Sequence, residues 1–210
     1  NDEYVEKLGG LCAFVGTGKT APRAAYTTAG LHMVKVGNLT GRGIEWDSVE
    51  RQYVTKEFAE RNPQAVLQKG DILFTAAAHG PKWIGLKVDI FEEAPKHIAL
   101  PVVCCGEIMI CRPKKGVDPY YLLLFLKSNA GYEAIQKCIR GQSGHIYAPE
   151  VKQISVPKAG KANAKRLAKA LAALRDSLHA RRASANYDVD AKQISTLLFP
   201  SAIQKPVIAS

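Results

Sequence analysis

Two hundred and ten residues at 22.8 kDa make room for one large domain, or one domain plus an extension. Hydrophobic residues are 47% of the chain and charged ones 23%, enough to bury a core, which excludes wholesale disorder. The net charge of +10, from 29 Lys and Arg against 19 Asp and Glu, suggests a polyanionic partner first. That excess is uneven. Residues 1–160 hold 20 basic and 16 acidic side chains, whereas residues 161–210 hold 9 and 3. The longest apolar run, Tyr120–Leu126, falls far short of the ~20 residues a membrane helix needs, so no membrane role is expected. No basic-then-apolar leader opens the sequence, and secretion has no support in it. The first residue is not Met, which fits a piece of something longer. Five cysteines without CxxC spacing (12, 104, 105, 111 and 138) indicate a reduced, cytoplasmic protein.

Up to about residue 115 the pattern is β-like, with short apolar and branched runs broken by Gly, Pro and Asn. It predicts strands over Leu11–Val15, Leu31–Val36, Ile72–Thr75, Ile84–Val88 and Val102–Cys111. The last is the longest, an alternating and half-buried strand. Turn chemistry joins them at 16–18, 41–43, 69–71 and 79–81. Asp118-Pro119 then offers an N-cap with Pro at the first helical position, predicting a helix over Tyr120–Lys127. A second helix is expected over Tyr132–Ile139 and a last strand over Ile154–Pro157. From Lys161 to Arg182 the chain is rich in Ala, Leu, Lys and Arg. Ala164, Leu167, Leu171, Leu174 and Leu178 form an a/d stripe over two heptads. The resulting boundaries are a globular domain over 1–158, a long helix and helical tail over 159–200, and a tail over 201–210.

Gly16-Thr-Gly-Lys-Thr20 invites a phosphate-loop reading. That motif needs a glycine five positions before Gly18, where Ala13 stands. The looser reading is a Gly-rich loop that presents Lys19, Thr20 and Arg23 to a phosphate backbone. Asp118-Pro-Tyr-Tyr121 approaches the Asp-Pro-Pro-Tyr signature of amino-methyltransferases but lacks its second proline, and a helix start explains it better. Neighbouring Cys104 and Cys105 in one strand would point to opposite faces, which suits buried thiols better than metal ligands. Two loops stand out: residues 76–83, with His79, Lys82 and Trp83, and residues 140–147, with Arg140, Gln142, Ser143, His145 and Tyr147. These side chains read base edges or hold phosphates: Arg for guanine, Gln for adenine, Ser for either. The plain alternative is a pair of ordinary surface loops.

The ordered series of segments carries a resemblance. Leu8-Gly-Gly, Gly16-Thr-Gly-Lys-Thr-Ala-Pro, His32-Met-Val-Lys-Val-Gly-Asn-Leu-Thr40, Val66-Leu-Gln-Lys-Gly-Asp-Ile-Leu-Phe-Thr75, Asp118-Pro-Tyr-Tyr-Leu and Val151-Lys-Gln-Ile-Ser-Val-Pro157 lead into a long helix. Together they resemble the target-recognition domain of type I restriction–modification specificity (S) subunits, with its trailing coiled-coil helix. The resemblance implies an α+β fold: a mixed, mostly β domain that grips double-stranded DNA, followed by a helix that spaces two such domains. It implies a subunit without catalysis, which reads one half of a split target and positions methyltransferase (modification) and restriction (motor–nuclease) subunits. S-adenosylmethionine, ATP and Mg are then expected on those partners and none in this chain. The recognition domain of a fused N6-adenine methyltransferase is a further possibility. From other classes come a thiol hydrolase, a nucleotide-binding enzyme, and an RNA- or protein-binding module. The helical stripe must pack against this domain or against another helix; self-association through it predicts a homodimer, which replacing Leu171 and Leu174 together by Asp should turn into monomer on a sizing column.

Overall fold

The computed structural model describes residues 5–47, 52–141, 144–158, 169, 171–173 and 175–176. Strands and helices mix in an α+β arrangement, as expected. Strand β1 (Val5–Lys7) runs into a one-turn helix, α1 (Leu8–Leu11), whose Leu8 is fully buried. Then come β2 (Cys12–Thr17), β3 (Tyr26–Thr27), β4 (Leu31–Val34) and β5 (Tyr53–Val54). Helix α2 (Lys56–Arg61) starts at Thr55, whose hydroxyl accepts the Phe58 amide. Strands β6 (Asp71–Thr75), β7 (Val88–Phe91), β8 (Val103–Cys104) and β9 (Ile108–Pro113) follow. The helices α3 (Pro119–Lys127), α4 (Asn129–Gln136) and α5 (Ala148–Lys152) precede the closing strand β10 (Ser155–Pro157).

Strands β2-β9-β6-β7 form one antiparallel sheet and β3-β5-β4-β8 a second, in which β4 and β8 are parallel. A two-stranded ribbon of β1 and β10 brings the two ends of the domain together. Two cores meet on β6 and β9. Leu73, Ile108 and Ile110 face the core shared with the second sheet; Ile72, Phe74, Met109 and Cys111 face the core beneath α3 and α4. All seven are fully buried, so their strands read as continuous apolar runs.

This corrects the expected single strand over Val102–Cys111. The run is broken at Cys105–Glu107, its two halves belong to different sheets, and β9 is buried on both faces. The strand expected over Ile84–Val88 starts at Val88 instead, because Ile84 and Gly85 belong to a tight turn, with Gly85 at φ +68. Pro149 lies inside α5, near the helix start where proline costs no hydrogen bond. At α3 the expected cap is present: the Asp118 carboxylate accepts the Tyr120 amide at 2.9 Å.

Two buried carboxylates tie the sheets to their loops. Asp71, fully buried at the start of β6, pairs bidentately with Arg112 at 2.8 Å, and the same guanidinium donates to the Val66 carbonyl. Asp89 accepts the amides of Gly41 and Gly43 at 2.9 and 2.8 Å and so fastens the 40–43 loop. Burial pushes the Asp89 carboxyl up, against the opposing pull of Lys127 and those amides.

Of the helical stripe, Leu171 is 8% exposed and packs into the core beneath α3. Arg175 donates to Asp118 at 3.1 Å and lies 4.8 Å from the Tyr120 ring centroid. Ala164, Leu167, Leu174 and Leu178 lie outside the described residues, as do most other positions of the expected helix and the 201–210 tail. Removing one partner of a buried ion pair strands the other charge. Arg112→Ala should therefore lower stability by about 3–5 kcal/mol, read as the urea midpoint. Arg175→Ala, at a half-exposed pair, should cost about 1 kcal/mol or less.

Candidate nucleic-acid interface

The strand ends decide where the functional side chains go. Thr17 pairs with Met109 and Thr75 with Ile108, so β2 and β6 end where β9 begins. Parallel pairing of Val34 with Cys104 brings the end of β4 to the same place. Four loops leave from this one end: 18–25, 76–87, 105–107 and the segment after Val34.

Backbone hydrogen bonds knit them into a ridge. The Gly18 amide donates to Ile108 and the Lys19 amide to Cys104, across the gap between the sheets. A Cβ on Gly18 would lie 2.2 Å from the Cys104 carbonyl oxygen, so only glycine allows this approach. Gly106 packs against Thr20. The Glu107 carbonyl then accepts the amides of Ala76 and Ala77 at 2.7 and 3.3 Å. Ala77 in turn forms a β-bridge with His145, and the Ala78 amide donates to Gly144. The two polar loops singled out in the sequence are thus neighbours, and the Lys19 loop extends the same surface.

Lys19, Thr20, Arg23, His79, Lys82, Trp83, Arg140 and Tyr147 are all exposed, and His145 is half-buried. Lys82 sits 5.1 Å from the Trp83 ring centroid, a cation held over an aromatic face. Helix α4 grips the turn beneath them: Tyr132 donates to the Lys82 carbonyl, and Gln136 to Pro81 and Ile84. Arg140 is tied to Glu150 at 2.6 Å, which leaves less of its charge available than the sequence implies. Gln142 and Ser143 lie outside the described residues. Among the described residues the side chains of Lys19, Arg23 and His79 make no hydrogen bond or ion pair.

Sequence reasoning missed a cleft at this end of the second sheet. Tyr26, Thr27, Lys35, Gln52 and Tyr53 line an open cavity of 440 Å³. Lys35 is steadied 5.4 Å from the Tyr26 ring centroid. The Gln52 amide and Tyr53 hydroxyl have no hydrogen bond among the described residues. In sequence these residues lie on or beside three short strands, β3, β4 and β5, with no shared motif, so sheet pairing assembles them.

The enzyme-like features resolve differently. After Lys19-Thr20 comes a single 3-10 turn, Arg23–Ala25, whereas a phosphate loop opens an α-helix that supplies its amides. All five cysteines are buried. Burial pushes the thiols of Cys104, Cys105 and Cys138 up; Cys111 rises through its hydrogen bond with Cys12 and then through burial. Raised thiols are poor nucleophiles at neutral pH.

Gly144 closes the ridge at φ +58, with a would-be Cβ 3.1 Å from the Ala78 carbonyl. Gly144→Val should therefore release both loops at once. Amide exchange at Ala78 and Ile146 should accelerate at least tenfold, while the Ile72 and Ile110 amides keep their protection.

No protein-family model and no curated protein matches the chain. Solved structures do. A chain of a type I restriction–modification system, from a study of complex assembly and conformational transition, matches with a TM-score of 0.56 at 16% identity. The match covers 92% of this chain and 44% of that one. The S subunit (HsdS) of Thermoanaerobacter tengcongensis matches at 0.55 and 17% identity, over 92% of this chain and 43% of its own. The type I S subunit of M. genitalium matches at 0.51 and 12% identity, over 84% and 40%. This chain spans less than half the length of each of these structures. Over most of its own length, therefore, the chain has the fold found in type I restriction–modification S subunits.

Proposed function

We propose that this chain is the DNA-reading specificity subunit of a type I restriction–modification system, or one recognition domain of it. In this role it reads one half of a split target in double-stranded DNA and positions methyltransferase and restriction subunits. The observation that carries the reading is the convergence of Lys19, the His79–Trp83 segment and residues Arg140, His145 and Tyr147, with the Lys35–Gln52 cleft, at one end of a rigid double core. Polar, cationic and aromatic side chains on pinned loops are what groove reading requires.

Each group has a task on a duplex. Lys19 and Arg23, exposed and unpaired among the described residues, neutralise phosphates and set register. Gln52, Tyr53, His79 and His145 offer donors and acceptors to base edges. Trp83 and Tyr147, each half-exposed, supply flat contact area beside the backbone. The chain contributes recognition, and base methylation and strand cleavage belong to the partner subunits. Dimerisation through the helical stripe remains part of the proposal, with the paired domains reading the two half-sites.

With about 3–5 phosphate contacts, affinity should fall roughly 10²-fold between 50 and 200 mM salt. Titration of a random-site duplex pool, followed by sequencing of the bound fraction, should enrich one short half-site. Lys19→Ala should weaken all sequences alike and reduce the salt slope by about one unit. No binding at either salt, or salt-sensitive binding without enrichment, would sink the reading. Loss of a nucleotide-dependent activity in Lys19→Ala would transfer the chain to the enzyme class.

A further inference from the structure

We propose that Glu107 is a specificity determinant whose carboxylate accepts the N4 amino group of a cytosine in the major groove. The inference rests on the DNA-reading role above. Glu107 is the exposed residue of the 105–107 break, with the Lys19–Thr20 loop packed on one side of that backbone and Ala76–Ala77 on the other. It therefore sits in the middle of the ridge. Among the described residues its carboxylate makes no ion pair and no hydrogen bond, although Lys19 and Lys35 belong to the same end of the sheets.

The main chain beneath it is fixed from three sides. Its carbonyl holds Ala76 and Ala77, the Cys105 amide before it donates to Val34, and the Ile108 carbonyl after it accepts Gly18. The Cα that carries the carboxylate is therefore fixed before any contact forms, and only the side-chain rotamer remains to be ordered. A free carboxylate amid cations is repelled by phosphates, so on a duplex it is tolerated where it faces amino groups at base edges. In the major groove cytosine presents only a donor, its N4 amino group. Guanine and thymine present acceptors, and adenine sets its N7 acceptor beside the N6 donor. A carboxylate only accepts, so its chemistry selects cytosine.

The consequence has two signs. Glu107→Gln should bind unrelated duplex several-fold more tightly, because a repulsive charge is gone. It should also lose preference for cytosine at one position of the enriched half-site, by at least ~5-fold. Glu107→Asp should keep the cytosine with reduced selectivity, and the exposed site should leave the melting temperature of all variants unchanged. The test is random-pool enrichment with the wild-type chain, Glu107→Gln and Glu107→Asp, alongside binding to a scrambled duplex. If Glu107→Gln enriches the wild-type half-site with every cytosine intact, the inference is overturned while the DNA-reading role stands. Should the altered position be adenine, the base assignment fails. A wild-type chain that enriches nothing removes both.

Discussion

The burial of β6 and β9 on both faces is the constraint on which the rest depends. Alternate residues of one strand feed two cores: Ile108 and Ile110 point into one, Met109 and Cys111 into the other. No polar residue is admitted among these four positions, since either face would bury it without a partner. With both faces closed, variable chemistry is left to the strand ends. One end is locked by the Asp71–Arg112 pair and its link to Val66. The opposite end carries the loops.

That division separates stability from recognition. The 18–20, 76–78, 105–107 and 144–146 segments are short and mutually hydrogen-bonded, so their backbones are as determined as the sheet itself. Several exposed polar side chains at this end are left unengaged among the described residues. Lys19, Arg23 and His79 make no side-chain hydrogen bond or ion pair among the described residues, and Lys35 and Lys82 lie over aromatic faces. A rigid main chain removes the backbone part of the entropy lost when a surface meets a fixed pattern of donors and acceptors, leaving only the side chains to be ordered. The exposed side chains here, Lys19, Thr20 and Glu107 among them, can change without touching either core.

Asp118 links this body to the segment beyond residue 158. One carboxylate oxygen caps α3 through the Tyr120 amide, while the other receives Arg175. Leu171 enters the core a turn earlier, and Arg175 also lies over the Tyr120 ring. Of the two partners open to the stripe, the chain's own domain or a second helix, Leu171 takes the first. The contact orients the segment relative to α3 through one apolar anchor and one ionic one.

Local signals in the sequence were enough for the elements that depend on local chemistry. The Asp118-Pro119 start of α3, the apolar cores of β4, β6 and β9 and the burial of the cysteines follow from capping, turn residues and hydrophobic runs. The ordered motifs also pointed to the fold that the solved S-subunit structures share. Tertiary structure alone decided the rest. It split Val102–Cys111 between two sheets, because Gly18 and Thr20 pack into the break and no periodicity within the run records that approach. It joined Ala77 to His145 and assembled Tyr26, Lys35, Gln52 and Tyr53 into one cleft, since pairings between distant strands are set by register and packing rather than by neighbours in sequence. The sequence by itself determined which chemistry the chain carries. Folding decided which of those side chains meet, because that depends on where each buried strand is forced to end.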